Sequence, residues 1–226
     1  MPIPVAFSWS GGKDSAMALH ALRSNPDYEM VSLLTTITEG FERISMHGVR
    51  CELLRAQAGS IGLPLVEVRI PQKCTNPLYE TRMAEAVLRF REQGILHIGF
   101  GDIFLEDLRA YREQKLMHAD MTALFPIWKI DTHELATRFL HDGFRAIAAC
   151  IDPKKLNKSF AGRELDGSFF RDLPAGVDPC GENGEFHTFV YDGPIFRSPV
   201  PVQVGQVVER DSFVFCDLLP VVYGEP

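Results

Sequence analysis

The sequence predicts an α/β protein, in which a parallel sheet carries helices on both faces and a smaller α+β region follows. Strand-like and helix-like segments alternate over most of residues 3–151, and such alternation is typical of βαβ units. A glycine-rich turn follows the first apolar run. Beyond Asp152-Pro153 the pattern becomes mixed and then mostly β. We therefore predict one domain over residues 1–152 and a second, substrate-binding domain over residues 153–226.

The first four elements are predicted from apolar runs and helical spacing. Residues 3–9 form a buried strand, and residues 14–23 form a helix that stops near Asn25-Pro26. Residues 30–37 are apolar and β-branched, which predicts a second strand. Residues 47–61 place their apolar side chains near one face, which predicts a helix.

The next five elements continue the alternation. Residues 63–70 form a third strand, which Pro71 ends. A helix over residues 77–93 has proline in its first turn and glycine after its end. Residues 95–101 are predicted as a fourth strand and residues 105–117 as a charged helix. Residues 125–130, Phe-Pro-Ile-Trp-Lys-Ile, are predicted as a short extended piece.

The last elements change character. Residues 132–140 form a helix before Gly143, and residues 144–151 are predicted as the fifth strand of the parallel sheet. One short helix is predicted around residues 168–173. Residues 184–196 and 200–222 alternate apolar and polar positions, which predicts β structure.

Composition excludes several classes of protein. The chain has 226 residues and a formal net charge of −7 at pH 7, which argues against wrapping a nucleic-acid backbone. No apolar run approaches the ~20 residues of a membrane span, and no signal peptide is predicted. The odd number of cysteines without a C-x-x-C pair predicts reduced thiols and a cytoplasmic location. The cysteines are Cys51, Cys74, Cys150, Cys180 and Cys216.

The turn after the first strand is predicted to bind phosphate groups. In open α/β sheets, ligands bind at the carboxyl ends of strands. Glycines there permit close backbone approach, and successive N–H groups at a helix N-terminus attract anions. A helix cap is the alternative, but a cap needs only one serine or aspartate. The predicted nucleotide-binding residues in this turn are Ser8, Ser10, Gly11, Gly12, Lys13, Asp14 and Ser15.

The turn is not a Walker A loop, because Phe7 stands where that pattern has glycine and Asp14 where it has serine or threonine. Lys13 supplies a point charge suited to phosphate oxygens. Asp14 would orient Lys13 or help to hold Mg²⁺.

Two further polar segments are expected near the nucleotide. His47 follows the second strand, where it would bind the nucleotide or simply cap a helix; the two readings stay open. Gly99 and Gly101 bracket the end of the fourth strand, and Asp102 follows at the expected mouth of the site. If the next helix starts early, Asp102, Glu106 and Arg109 share one face, although a solvated, salt-bridged face is the alternative.

Residues 178–196 carry more polar groups than a hairpin turn requires. Asn183-Gly184 alone would make the turn, and the additional Glu182, Glu185 and His187 indicate a substrate site. Cys180 lies inside this segment, where it is either a small buried hydrophobe or a catalytic thiol.

The stretch Ser-Gly-Gly-Lys-Asp-Ser, residues 10–15, resembles the pyrophosphate loop of the N-type ATP pyrophosphatases. Members of that superfamily cleave ATP between the α and β phosphates. The resemblance implies that the loop holds the leaving pyrophosphate while a substrate oxygen takes up AMP.

Nearly the whole chain resembles the diphthine–ammonia ligase family. The resemblance rests on the loop, the Gly-Asp-Ile after the fourth strand, Phe-Pro-Ile-Trp, and a long late signature. The signature residues here are Gly181, Glu182, Gly184, Glu185, Phe186, Thr188, Phe189, Val190, Asp192, Pro194 and Phe196. The family implies a Rossmann-like domain of the adenine nucleotide alpha hydrolase type, followed by a smaller domain.

The resemblance also implies chemistry. With ATP and Mg²⁺ as cofactors, a substrate carboxylate is adenylated and ammonia then displaces AMP, which leaves an amide. The catalytic residues expected on this basis are Lys13, Asp14, Asp102, Glu182 and Glu185, with Asp14 as the metal ligand.

The acceptor is left open by the sequence. Asn183 and His187 stand where the ligases usually carry Gly and Glu, which is similar to a divergent, bacterial-type branch; with Thr188 they are the expected substrate-binding residues. The alternatives are a small carboxylated metabolite as acceptor, or a nucleotide-binding module without chemistry. The apolar C-terminal β run is consistent with a homodimer.

Overall fold

The computed structural model describes residues 1–40, 43–44, 48–210 and 212–221. The chain groups into two compact units. The first comprises Met1–Ser10, Asp14–Ser45 and Leu63–Lys129, and the second comprises Gly11–Lys13, Met46–Gly62 and Ile130–Pro226. The functional division at residue 152 stays a prediction.

The first unit is built on a parallel sheet. Its strands are β1 (Ile3–Ser8), β2 (Tyr28–Thr38), β3 (Arg43–Ile44), β4 (Leu65–Ile70), β5 (His97–Gly99) and β6 (Thr122–Leu124). The parallel strands lie in the order β4-β2-β1-β5-β6, and β3 pairs antiparallel with the end of β2. The chain therefore reverses its direction across the sheet between β1 and β5, so the carboxyl ends of these two strands form the switch point.

Six α-helices occur in the described part of the chain: α1 (Lys13–Arg23), α2 (Cys51–Ile61), α3 (Asn76–Glu92), α4 (Glu106–Met117), α5 (Thr132–His141) and α6 (Gly167–Asp172). Local signals set several of their ends. Gly62 closes α2 in the left-handed conformation. A proline lies in the first turn of α3. The side chain of Asp131 accepts hydrogen bonds from two N–H groups at the start of α5.

The core of the first unit lies between the sheet and its helices. Ala6 and Ile98 come from adjacent strands, and Phe90 and Leu116 come from α3 and α4; all four are at most 3% exposed. Burial of a side chain as large as that of Ile98, Phe90 or Leu116 contributes about 1.5–3 kcal/mol. This packing fixes the strand ends from which the polar residues follow.

The second unit contains a four-stranded antiparallel sheet. Its strands are β7 (Arg145–Ile151), β8 (Phe186–Asp192), β9 (Val202–Arg210) and β10 (Phe213–Pro220), in the order β8-β7-β10-β9. Phe169 of α6 is fully buried and packs edge-on against Phe160 and Phe186, each at 5.3 Å between ring centroids. No helix in the described residues is both long enough and apolar enough to cross a membrane.

Three predictions of elements are wrong. Residues 144–151 do form a strand, but β7 belongs to the antiparallel sheet. Six consecutive residues of β7 are buried. A strand of an antiparallel sheet usually alternates apolar and polar residues, but burial on both faces removes this alternation, so β7 has the sequence pattern of a strand in a parallel sheet covered on both faces. Residues 126–129 are turns rather than extended chain, and the strand lies just before them at Thr122–Leu124. Helix α2 begins only at Cys51, later than the predicted residue 47.

Candidate functional site

The glycine-rich turn comprises residues 10–15, and hydroxyl groups in the first unit order its start. Ser8 ends β1, and Trp9 behind it is 2% exposed. Ser10 Oγ donates to Ser15 Oγ at 3.0 Å, which ties the chain before the turn to the first turn of α1. The first N–H groups of a helix have no partner within the helix and form its positive end. The hydroxyls of Ser10 and Ser15 therefore lie where an anion would be attracted.

The chain after β5 packs closely on the start of α1. A Cβ added to Gly101 would lie 2.9 Å from the backbone carbon of Asp14 and 2.9 Å from the backbone nitrogen of Ser15. Only glycine permits this approach without a shift of one backbone. Asp102 follows Gly101 directly. The chain after β5 therefore places the carboxylate of Asp102 in the same region of the first unit as Asp14, which follows β1.

Asp102 is held by an arginine from α4. Arg112 Nε lies 2.9 Å from Asp102 Oδ2, and Arg112 Nη2 donates to Asp102 Oδ1 at 3.3 Å. The Asp102 side chain is only 11% exposed. The guanidinium of Arg112 also lies over the ring of Phe100, 4.3 Å from its centroid. The orientation of the carboxylate is thus fixed by an ion pair that is itself packed against an aromatic ring.

The environment of Asp102 shifts its acidity. Burial raises the pKa of the Asp102 carboxyl, and the neighbouring negative charge of Asp14 adds to the rise, while the charge and hydrogen bond of Arg112 oppose it. Asp102 and Asp14 therefore lie near enough to interact electrostatically. Perturbed carboxyl groups of this kind are frequent at functional sites.

The helical face predicted for Asp102, Glu106 and Arg109 is not formed, because α4 begins at Glu106 and Asp102 precedes it. Glu106 pairs at the surface with Lys129 at 2.9 Å. Arg109 pairs with Glu113 and lies over the rings of Phe125 and Trp128 at 4.9 and 4.7 Å. Glu106 and Arg109 therefore belong to a salt-bridged outer face of α4, which was the alternative interpretation of the sequence.

Residues 11–13 are anchored inside the second unit. Val190 N–H of β8 donates to the carbonyl oxygen of Gly11 at 2.9 Å. Lys13 N–H donates to Thr188 Oγ1, and Lys13 Nζ donates to the carbonyl oxygen of Cys180, both at 2.9 Å. Lys13 is 1% exposed. The glycine-rich turn therefore lies along the edge of β8, and the late signature supplies its partners.

The loop of residues 178–185, here called the late loop, is held in its conformation by two carboxylates. Glu185 is 3% exposed; its Oε1 accepts from Asp178 N–H and from the amide of Asn183, and its Oε2 accepts from Asn183 N–H. Asp178 Oδ1 accepts from Cys180 N–H, and its Oδ2 accepts from the hydroxyl of Thr132. These bonds fix the backbone that presents the Cys180 carbonyl to Lys13.

Gln57 in α2 is a site residue that the sequence did not indicate. It is fully buried, and its Nε2 donates to Gly11 O at 3.0 Å and to Val190 O at 2.5 Å. A glutamine in an amphipathic helix is ordinarily solvent-facing, so no local pattern distinguishes this one. Its burial depends on contacts with residues 46 and 133 positions away.

Comparison with known protein families decides the classification. A family model described as the diphthamide synthase N-terminal domain matches residues 3–115, and one described as the diphthamide synthase C-terminal domain matches residues 131–218. The chain belongs to the diphthamide synthase family. The expected resemblance to diphthine–ammonia ligases is thereby confirmed.

Similar curated proteins are named diphthine–ammonia ligases. The bovine protein is 26% identical over 74% of this chain and 67% of its own length, and the mouse protein is 24% identical over 97% of this chain and 89% of its own. The fission yeast protein, from Schizosaccharomyces pombe, is 24% identical over 92% of this chain, which spans only 38% of that relative. Membership of the diphthamide synthase family supports a ligase function.

The structure brings together only part of the predicted site. In the first unit, Ser10 and Ser15 are bonded to each other, and Gly101 packs on the backbone of Asp14 and Ser15. Gly99 has a packing role, because a Cβ there would lie 2.6 Å from Leu22 and 2.7 Å from Phe7.

In the second unit, Lys13, Thr188 and the loop held by Glu185 form one connected network. Glu182 and His187 are partly buried, and Asn183 is exposed apart from its bonds to Glu185. His47 lies outside the described residues. All five cysteines are free thiols, and Cys180 is buried with its Sγ 3.4 Å from the carbonyl oxygen of Thr132.

The described residues contain no group of three or more histidine, cysteine or acidic side chains arranged to hold a metal ion. Asp14 and Asp102 are two carboxylates of the first unit that interact electrostatically. Carboxylate oxygens suit Mg²⁺, which is commonly bound by one or two carboxylates together with substrate phosphates and water.

Proposed function

We propose that this protein is an ATP-dependent ligase that adenylates a substrate carboxylate, releases pyrophosphate, and transfers the acyl group to ammonia to form an amide. The observation that carries the proposal is the anchoring of Lys13. A fully buried lysine in the Ser-Gly-Gly-Lys-Asp-Ser turn is bonded through both its main chain and its ammonium group to the late signature of the chain. Residues 11–13 of the turn and the residues of the late signature are thus parts of one network.

The phosphate groups of ATP would bind at the start of α1. The positive end of the helix and the hydroxyls of Ser10 and Ser15 favour an anion there. Because Lys13 N–H is donated to Thr188, this N–H serves to fix the turn and is not directed to a phosphate. Lys13 Nζ would stabilise negative charge that develops on the leaving pyrophosphate.

A carboxylate is a poor acyl donor, and its adenylate has a good leaving group, AMP. Asp14 would hold Mg²⁺, with Asp102 beside it, and the ion would neutralise charge on the phosphates. Arg112 and Phe100 fix the orientation of Asp102. Asp102 would therefore present its carboxylate oxygens toward the ion without rearrangement, which is the form of preorganisation that lowers a barrier.

The acceptor would be recognised by the part of the chain after residue 152. Glu182, Asn183, His187 and Thr188 are the proposed contacts, and Glu185 sets the loop that carries them. The relatives named above act on diphthine by their names, so a diphthine side chain is the first acceptor to test, and small carboxylic acids are the second. We also propose a cytoplasmic location and a homodimer.

The test is the identity of the products. The protein is incubated with Mg-ATP, ammonium and either a diphthine-bearing elongation factor or a panel of carboxylic acids, and nucleotides are separated by chromatography. We expect AMP and pyrophosphate in equal amounts with the amide. ADP and phosphate would contradict the proposal, and tight AMP binding without turnover of any acceptor would indicate a nucleotide-binding module instead.

A further inference from the structure

We infer that Gln57 is a positioning residue of the proposed reaction, which sets the conformation of the glycine-rich turn by fastening Gly11 to the edge of β8. The inference rests on the proposed function for its catalytic consequence, but the fastening itself is a property of the folded chain. Gln57 Nε2 donates to the main-chain oxygens of Gly11 and Val190, so we infer that Gln57 acts through the conformation of the turn.

The hydrogen bonds leave little freedom to this junction. Both main-chain polar groups of Val190 are used here: the N–H donates to Gly11 O at 2.9 Å, and the carbonyl accepts from Gln57 Nε2 at 2.5 Å. Gly11 O accepts a second bond, from Gln57 Nε2 at 3.0 Å. In the Gln57 amide only the nitrogen donates, and it carries two hydrogens. The two carbonyl oxygens therefore determine which way the amide is turned.

The turn and Gln57 also fit each other sterically. Gly11 has φ +78°, a conformation that favours glycine. A Cβ built on Gly11 would lie 2.8 Å from Gln57 Oε1 and 3.3 Å from Leu54 Cδ1. Glycine is therefore required at this position both by the backbone conformation and by the side chain that holds it.

The position of Gly11 determines that of Lys13, two residues further along. Lys13 N–H reaches Thr188 and Nζ reaches the Cys180 carbonyl only with the turn against β8. Loss of the Gln57 amide would remove the donor described for the carbonyl oxygen of Val190, which is costly for a buried group. It would also leave Gly11 O with the bond from Val190 N–H alone, so Gly11 would be held less firmly in this place. The ammonium group would then lose its fixed position.

The experiment compares Gln57→Met with wild type and with Gln114→Met, which makes the same change at an exposed position of α4. Met has nearly the length of Gln and is apolar, so a residue that merely fills space would tolerate the change. Hydrogen–deuterium exchange of the segment around residues 9–16 reports the turn, and thermal melting reports the fold. Steady-state kinetics report kcat and KM for ATP.

We expect Gln57→Met to exchange at least tenfold faster in the turn and to lose at least tenfold in kcat, with exchange in β1 and β2 unchanged. Gln114→Met should match wild type. Unchanged exchange, or faster exchange with unchanged kcat, would overturn the inference. If Gln57→Met does not fold, Gln57→Glu replaces it. This variant keeps the size and polarity of the side chain but places an oxygen where the donor nitrogen stands. Exchange in the turn and kcat are then measured in the same way and are expected to change in the same direction.

The proposed ligase function and the proposed role of Gln57 can be contradicted independently of each other. If wild type turns over no acceptor, the proposed function fails, and the inference is then judged from turn exchange and from the affinity for a non-hydrolysable ATP analogue. Wild-type exchange and affinity in Gln57→Met would overturn it. Turnover by wild type together with full activity of Gln57→Met would leave the ligase standing and remove Gln57 from its machinery.

Discussion

At the scale of single residues, Lys13 is the side chain on which the proposed reaction depends most. We predict that Lys13→Ala lowers AMP release by at least a hundredfold, because both the cation and its fixed geometry are lost. Lys13→Arg should also be severely impaired, since a 1% exposed position has no room for a guanidinium. Chromatographic assay of AMP measures both. Lys115→Ala, at a surface pair with Glu80, is the control, and Lys13→Ala turnover within twofold of wild type would contradict the role.

Glu185 gives a second prediction at this scale. Both of its oxygens accept hydrogen bonds from the late loop, so Glu185→Gln turns an amide nitrogen toward donors that need an acceptor. We expect this variant to bind ATP normally and to form product at least tenfold more slowly. Glu209→Gln, at a surface pair with Lys158, is the control. Equal turnover in Glu185→Gln and wild type would remove Glu185 from the site.

At the scale of elements, the approach of the chain after β5 to the start of α1 depends on Gly101. A Cβ there would lie 2.9 Å from backbone atoms of Asp14 and Ser15, and neither backbone is the end of a flexible side chain. Gly101→Ala should therefore displace the start of α1, raise KM for ATP at least fivefold and lower the melting temperature. Gly59→Ala in α2 meets nothing within 4 Å and should be neutral or up to ~1 kcal/mol stabilising. If Gly101→Ala has the same KM for ATP as wild type, the close approach of the two backbones is not needed for ATP binding.

The junction between β7 and the chain before α6 predicts a pH dependence of stability. Arg145 donates to both oxygens of Glu164, at 2.8 and 3.2 Å, and this bond holds the pKa of Glu164 below its ordinary value of 4.5. A carboxyl group with a lowered pKa stabilises the fold above its unfolded value, and this contribution is lost as pH falls through the folded value. Because the pair is about half exposed, it is worth no more than about 1 kcal/mol.

Wild type should therefore melt about 1–4 °C above Glu164→Gln at pH 7. The difference should disappear as pH falls below 4.5. Calorimetry across that range measures it, with Glu134→Gln in the exposed pair with Arg138 as the reference. A difference that stays constant or grows toward acid pH would contradict the assignment.

At the scale of the whole molecule, local signals predicted most of the first unit and only part of the site. The order of strands and helices, the turn at Gly11-Gly12 and the carboxylate at Asp102 follow from short-range patterns. The contacts that give these residues their places are long-range: Lys13 bonds to residues 167 and 175 positions away. Neither Gln57 nor the placement of β7 in the antiparallel sheet has a local signature, because burial and strand partners are set by the assembled fold.

The central claim is that the oxygen of a carboxylate attacks the α phosphate of ATP. The most direct measurement uses the acceptor that is converted, labelled with ¹⁸O in its carboxyl group, and mass spectrometry of the phosphorus products. The account predicts one ¹⁸O atom in AMP and none in pyrophosphate. Label in inorganic phosphate, or AMP without label, would contradict it.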